Sequence, residues 1–167
     1  MARMQTESKP ENMQKYENYK EQFKRLNRAI NQCFYLEAMF IAYAIMEDRT
    51  ESILRHAGKW EIYLKKRNGY NPTIDSKIRY IQKQAEQKKT LMNKYFSDDL
   101  LDEILTWKDE RNRMIHALMK QPLTTKMLED IALQGKNLAR ALTNISGSFN
   151  KAAERKARNE KMIIRKG

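Results

Sequence analysis

One stretch of this chain carries side chains suited to chemistry. It is Trp107-Lys-Asp-Glu-Arg-Asn-Arg-Met-Ile-His-Ala-Leu118, with Arg111, Asn112, Arg113 and one of the two histidines, His116. Histidine titrates near neutrality and can take and return a proton. Arginine presents a planar fork that holds two oxygens of a phosphate at once. At about 100° per residue, Leu100, Leu101, Ile104, Leu105, Trp107, Met114, Ile115, Leu118 and Met119 share one face of a helix. Asp102, Glu103, Thr106, Asp109, Glu110 and Arg113 take the solvated face. Arg111 falls inside the apolar stripe, where a guanidinium is costly unless something pairs with it. A structural carboxylate or an anionic ligand would serve. Asn112 and His116, four residues apart, stand one turn above the other on the flank of the stripe.

Arg111-Asn112-x-x-x-His116, late in a helix of a small helical chain, resembles the R-x(4–6)-H motif of the HEPN superfamily, in which asparagine commonly follows the arginine. The resemblance covers about residues 12–150 and is detailed only at the motif. It implies an all-α, HEPN-like bundle of four to five helices that pairs as a two-fold dimer. It also implies a metal-independent endoribonuclease of the kind found in toxin–antitoxin, abortive-infection and phage-defence systems. Arg111, Asn112 and His116 would be its catalytic residues. Some members use an acidic residue on an earlier helix, and Glu47 is the best match, with Arg111 as its partner. RNA is the implied substrate, a second copy the implied partner, and a separate antitoxin protein a further one.

Metal-free RNA cleavage needs a base for the 2′-hydroxyl proton, cationic donors for the charged phosphorane and an acid for the 5′-oxygen. One chain offers one His–Arg pair, so a second protomer would supply the other across a two-fold interface, leaving 2′,3′-cyclic phosphate and 5′-hydroxyl ends. The alternative is a non-catalytic helical module that binds RNA or a protein, with Arg111 satisfied architecturally.

The elements that must position this stretch are helical. Five Gly and three Pro leave little punctuation for a many-stranded fold, and Lys, Glu, Gln, Met, Leu and Ala favour helix. Residues 1–10 read as a disordered leader, 11–150 as the helical domain and 151–167 as a basic, frayed tail. Glu11 to Ala57 has neither Gly nor Pro, enough for one bent helix or two joined near Asn31–Cys33. Phe34 to Met46 is apolar nearly all round, which predicts a central, buried helix that ends at His56 and Gly58. His56 there would complement the helix dipole. Glu47 projects onto the sector of Leu36, Phe40, Tyr43 and Leu54; a structural ion pair with Arg49 or another core arginine would explain it as well as a catalytic role.

Gly58–Thr73 reads as an irregular loop in which Trp60, Tyr63 and Tyr70 interleave with Lys59, Lys65, Lys66 and Arg67. Bases stack on rings while cations track phosphates, so Trp60, Tyr63, Lys65, Lys66 and Arg67, with Arg113, are candidate RNA contacts. A loop pinned to the core by its own aromatics would show the same pattern. Thr73 caps a further helix with Ile74, Ile78, Ile81 and Ala85 as its buried edge and Lys77, Arg79, Lys83, Lys88 and Lys89 outside. Ser97 is the expected N-cap of the motif helix, and Pro122 its end. From Thr124 or Thr125 a last helix places Leu128, Ile131, Gly135, Leu138, Leu142, Ile145, Phe149 and Ala152 on one seam, for packing within the chain or across a dimer.

A net charge of +12 and a pI near 9.8 favour polyanionic partners, RNA first, though an acidic antitoxin or an anionic membrane surface would satisfy the same charge. Cys33 is alone, within a run that predicts a buried, inert thiol. One cysteine and two distant histidines make no zinc site, and no glycine-rich phosphate loop is present, so no metal and no cofactor are expected. The first ten residues are polar, unlike a secretory signal. Phe34–Met46 is short for a membrane span and is broken by Glu37. The expected address is the cytoplasm.

Overall fold

The computed structural model describes residues 9–66 and 72–164, and these form seven helices and no strand. They are α1 (Lys9–Asn31), α2 (Tyr35–His56), α3 (Trp60–Lys65), α4 (Ile74–Ala85), α5 (Leu91–Phe96), α6 (Leu100–Ala117) and α7 (Thr125–Ile164). The all-α expectation holds. No described helix is long and apolar enough to cross a membrane.

The run from Glu11 to Ala57 resolves into two antiparallel helices. Cys33 ends α1 in the left-handed conformation, φ +61°. The Phe34 amide then reaches back to the Ala29 carbonyl at 2.8 Å and the Cys33 amide to Ile30 at 3.0 Å, the bond pair of a Schellman cap. The price of that turn is exposure, so Cys33 is an accessible thiol and not the buried one its neighbours suggested. Gly58, φ +65°, ends α2 by the same device, with Lys59 bonded to Leu54.

α2 is the central helix, flanked by α1, α4 and α7. Ala38, Met39, Ala42, Met46, Ile53 and Leu54 are completely or almost completely shut from solvent. Its other face is less covered than its composition predicts, because Leu36 and Phe40 lie open, Phe40 at 65%; Phe34, just before the helix, is open on the α1 side. α7 runs parallel to α2: Asn150 bonds Ser52 at 3.1 Å, and Glu154 meets His56 at 3.5 Å. The α7 seam is therefore spent inside the chain, with Gly135, Leu138, Leu142 and Phe149 buried. At Gly135 the reason for glycine is plain, since a Cβ there would lie 2.7 Å from Trp107 Cε2. The Trp107 indole, itself fully buried, donates to the Ile131 carbonyl at 2.8 Å.

Other boundaries shift. The motif helix starts at Leu100 with Asp99, not Ser97, at its N-cap, and ends at Ala117, before Pro122. Thr73 caps α4 as expected, accepting from the Ser76 amide at 3.3 Å. Gly58–Thr73 is not wholly irregular, because Trp60–Lys65 is a short helix. Residues 151–164, expected to fray, continue α7 as helix. Of the leader assigned to residues 1–10, Lys9 and Pro10 already belong to α1; the remainder and the end of the tail, 165–167, lie outside the described residues.

Candidate functional site

α2, α4 and α6 bring a polar cluster together around Tyr43. α4 and α6 are antiparallel neighbours, tied by Gln82 to Asp102 at 2.8 Å at one end and Lys108 to Asp75 at 2.6 Å at the other. That pairing turns Lys108 and Arg111, three residues apart on α6, toward α2.

Arg111 is half-buried with its guanidinium 4.9 Å from the centre of the Tyr43 ring, a cation–π distance. Its Nη1 donates to Asn112 Oδ1 at 2.9 Å, and its buried Nε has no partner. Burial pulls the guanidinium below its ordinary value, with Tyr43 opposing. Burial pushes the Tyr43 phenol up, Glu47 and Asp75 push further, and Arg111 and Lys108 pull against them.

The carboxylates nearby pair with lysines, although Asp75 keeps one buried oxygen, Oδ1, without a partner. Glu47 does not meet Arg111 or Arg49; it pairs with Lys77 at 3.5 Å. Lys77, expected on the basic exterior, is only 3% exposed and also reaches the Glu47 carbonyl at 3.4 Å. The α4 face that carries Ile74, Ile78 and Ile81 inward draws in the long stem of Lys77 with it. Asp75 and Asp109 both hold Lys108, at 2.6 and 2.7 Å. Burial alone would lower Lys108, but the bonds from Asp109 and Asp75 outweigh it and raise it; Lys108 in turn lowers Asp109. Among the described residues Arg111 makes no ion pair. Of the two ways to satisfy it, a structural carboxylate is not the one used.

Arg49 is held apart from this cluster. It lies 3.4 Å over the Tyr19 ring, while Tyr19 donates a short hydrogen bond to Asp48 on the α1–α2 side.

His116 is exposed in the last turn of α6 and makes no hydrogen bond to any described residue. Five helical residues carry it about 140° around the axis from Arg111. The two motif side chains therefore diverge within one chain. Asn112 shares the flank of His116, but its amide oxygen is committed to Arg111.

The candidate RNA contacts separate. Lys65, Lys66 and Arg113 are exposed. Trp60 and Tyr63 are 8% and 4% exposed and so cannot serve as stacking platforms. Trp60 lies under the Arg55 guanidinium, and Tyr63 packs 4.9 Å from the Tyr80 ring and donates to Ser76 Oγ at 2.7 Å. Of the two readings of these aromatics, the loop pinned by its own rings is the one realised. Arg67 and Tyr70 lie outside the described residues. No group of three or more potential metal-ligating side chains occurs among the described residues.

Tyr43, Asp75, Lys77 and Lys108 escaped the sequence reading. Tyr43 carried a usable signal, since it stands four residues before Glu47 on the same sector of α2. Lys77 also carried a signal, since it stands three residues after Ile74 and four before Ile81, at the edge of the apolar stripe of α4.

No protein-family model, curated protein or solved structure matches this chain.

Proposed function

We propose that this chain is a metal-independent endoribonuclease of HEPN type, active as a two-fold dimer. The observation that carries the reading is Arg111: a half-buried guanidinium with an unpartnered Nε and no carboxylate partner among the described residues, Glu47 being paired with Lys77 and one oxygen of Asp75 with Lys108. In a chain of net charge +12, a phosphate is the natural counterion for it.

His116 points elsewhere, so one chain cannot close a site on its own. The open side chains of Leu36 and Phe40 supply a face for a second copy. They stand on the Tyr43 side of α2, two turns and one turn, respectively, before the ring against which Arg111 packs. A dimer seated there would bring His116 of the partner subunit toward Arg111. In the proposed step one histidine takes the 2′-hydroxyl proton as that oxygen bonds to phosphorus. Arg111 holds the non-bridging oxygens. The bond to the 5′-oxygen breaks, and the second histidine donates its proton there. The products carry a 2′,3′-cyclic phosphate and a 5′-hydroxyl. Glu47, half-exposed and paired with Lys77, acts through the shape of the cluster and not as a base. Growth control or phage defence, with an antitoxin protein as partner, is the setting this activity fits.

A second reading has its own support. The Tyr43 ring and the Asn112 amide already give Arg111 an architectural role, as expected of a non-catalytic RNA- or protein-binding module. Paired expression of wild type and His116→Ala in a bacterial host separates the two. The nuclease reading expects growth arrest and RNA fragments with cyclic phosphate ends from wild type alone. Equal growth with intact RNA from both would leave the binding module.

A further inference from the structure

We propose that the far end of α7 and the corner between α2 and α3 form one phosphate-tracking surface for an RNA strand, separate from the Arg111 cluster. The choice of RNA over another polyanion rests on the function proposed above; the surface itself does not.

α7 is 40 residues long, and Glu154 against His56 marks where it passes the end of α2. Ten more residues carry the helix onward, about 15 Å at the usual rise. From Glu154 to Ile163 every side chain is exposed, so no described element covers this arm. Lys151, Arg155 and Arg158 fall within about 60° of one another around the axis. Of the carboxylates, Glu160 pairs with Lys156 on the opposite side, and Glu154, at the border of that face, is engaged by His56. Because α2 ends beside Glu154, Lys59, three residues after His56, belongs to the same end of the molecule. A projecting helix with one cationic face, continued by Lys59 on the body, matches the evenly spaced charges of a nucleic-acid backbone. Among the described residues it offers no exposed ring for reading bases, since Trp60 and Tyr63 are buried. Binding there is thus electrostatic and indifferent to sequence.

The surface lies away from the cleavage cluster. Tyr43 and His56 are separated along α2 by about 20 Å. An RNA held on the arm can therefore reach the site as a continuous strand, and the arm governs affinity and not the chemical step.

The test uses the full-length chain and a fluorescein-labelled 20-nucleotide RNA with 2′-O-methyl riboses, which cannot be cut, so binding is read whether or not the protein is a nuclease. Anisotropy is followed from 50 to 300 mM salt for wild type, for Lys151→Gln/Arg155→Gln/Arg158→Gln and for a control, Lys83→Gln/Lys88→Gln/Lys89→Gln, at exposed sites around the end of α4. Loss of three phosphate contacts should lower the slope of log affinity against log salt by about 2 and weaken binding more than tenfold at the lowest salt, with the control close to wild type. Equal losses in both variants, no binding by wild type, or binding only to phosphatidylserine vesicles would each overturn the proposal.

Discussion

Arg111 is defined by what its neighbours leave undone. An arginine kept for structure normally sits against a carboxylate, and removing it then strands a charge at a cost of several kcal/mol. Here Lys77 holds Glu47 and Lys108 holds one oxygen of Asp75, so Arg111→Ala strands no partner carboxylate and leaves only the Asn112 amide oxygen without its donor. Its loss removes one cation–π contact, worth about 0.5–2 kcal/mol, and the hydrogen bond to Asn112, worth about 1 kcal/mol. The expected outcome is cleavage reduced at least a hundredfold in an RNA assay, with a thermal midpoint within a few degrees of wild type. A collapse in stability with cleavage retained would move Arg111 to an architectural role. Lys77 poses the opposite case. Its ammonium is buried and holds Glu47 only at 3.5 Å. Lys77→Met keeps the stem and frees a carboxylate that is still partly solvated, so chemical denaturation should show stability unchanged or raised by about 1–2 kcal/mol. A loss of more than that would mean that the pair contributes more than its geometry suggests.

At the scale of elements, the α6–α7 contact turns on Gly135. Alanine favours a helix interior by about 1 kcal/mol over glycine. The added methyl would meet the ring of Trp107, which is fully buried and fixed by its bond to Ile131. Gly135→Ala should therefore destabilise by about 1–3 kcal/mol in denaturant titrations; a gain in stability would show that the indole can yield. The α1–α2 contact carries a pH signature. Burial, then the bond to Asp48, pushes the Tyr19 phenol far above its ordinary 10.0. The protonated phenol is thus favoured by folding, a contribution complete below about pH 10 and lost as pH climbs beyond it. The stability gap between wild type and Tyr19→Phe should narrow above pH 10, and a gap constant to pH 11 would contradict the burial of that phenol. These elements were legible to differing degrees. The glycine on the α7 seam, the Thr73 cap and the Gly58 stop follow from local chemistry that acts within a few residues. The α3 turn, the Asp99 start of α6 and the helical 151–164 do not, because packing of Trp60 and Tyr63 and propagation of a long helix override local punctuation.

For the whole molecule, the sequence disclosed an all-helical chain built on α2 and a motif helix closed near Pro122. It did not disclose the pairing of cations and acids around Tyr43, which depends on how α2, α4 and α6 cross. The same limit applies to Leu36 and Phe40. Composition placed them in the core, and the fold leaves them open because α1 and α7 cover the other sides of α2. That open face is where the proposed dimer is seated, so Phe40→Glu should yield a monomer by sedimentation and lose cleavage together. A dimer that persists in this variant would place the interface elsewhere. The central claim is that RNA is cut without metal by groups of this motif. The direct measurement is incubation of purified wild type, Arg111→Ala and His116→Ala with single-stranded RNA in excess EDTA, followed by analysis of the fragment ends. Fragments ending in 2′,3′-cyclic phosphate and 5′-hydroxyl are expected from wild type only. Intact RNA in all three reactions, or the same fragments from His116→Ala, would contradict that claim.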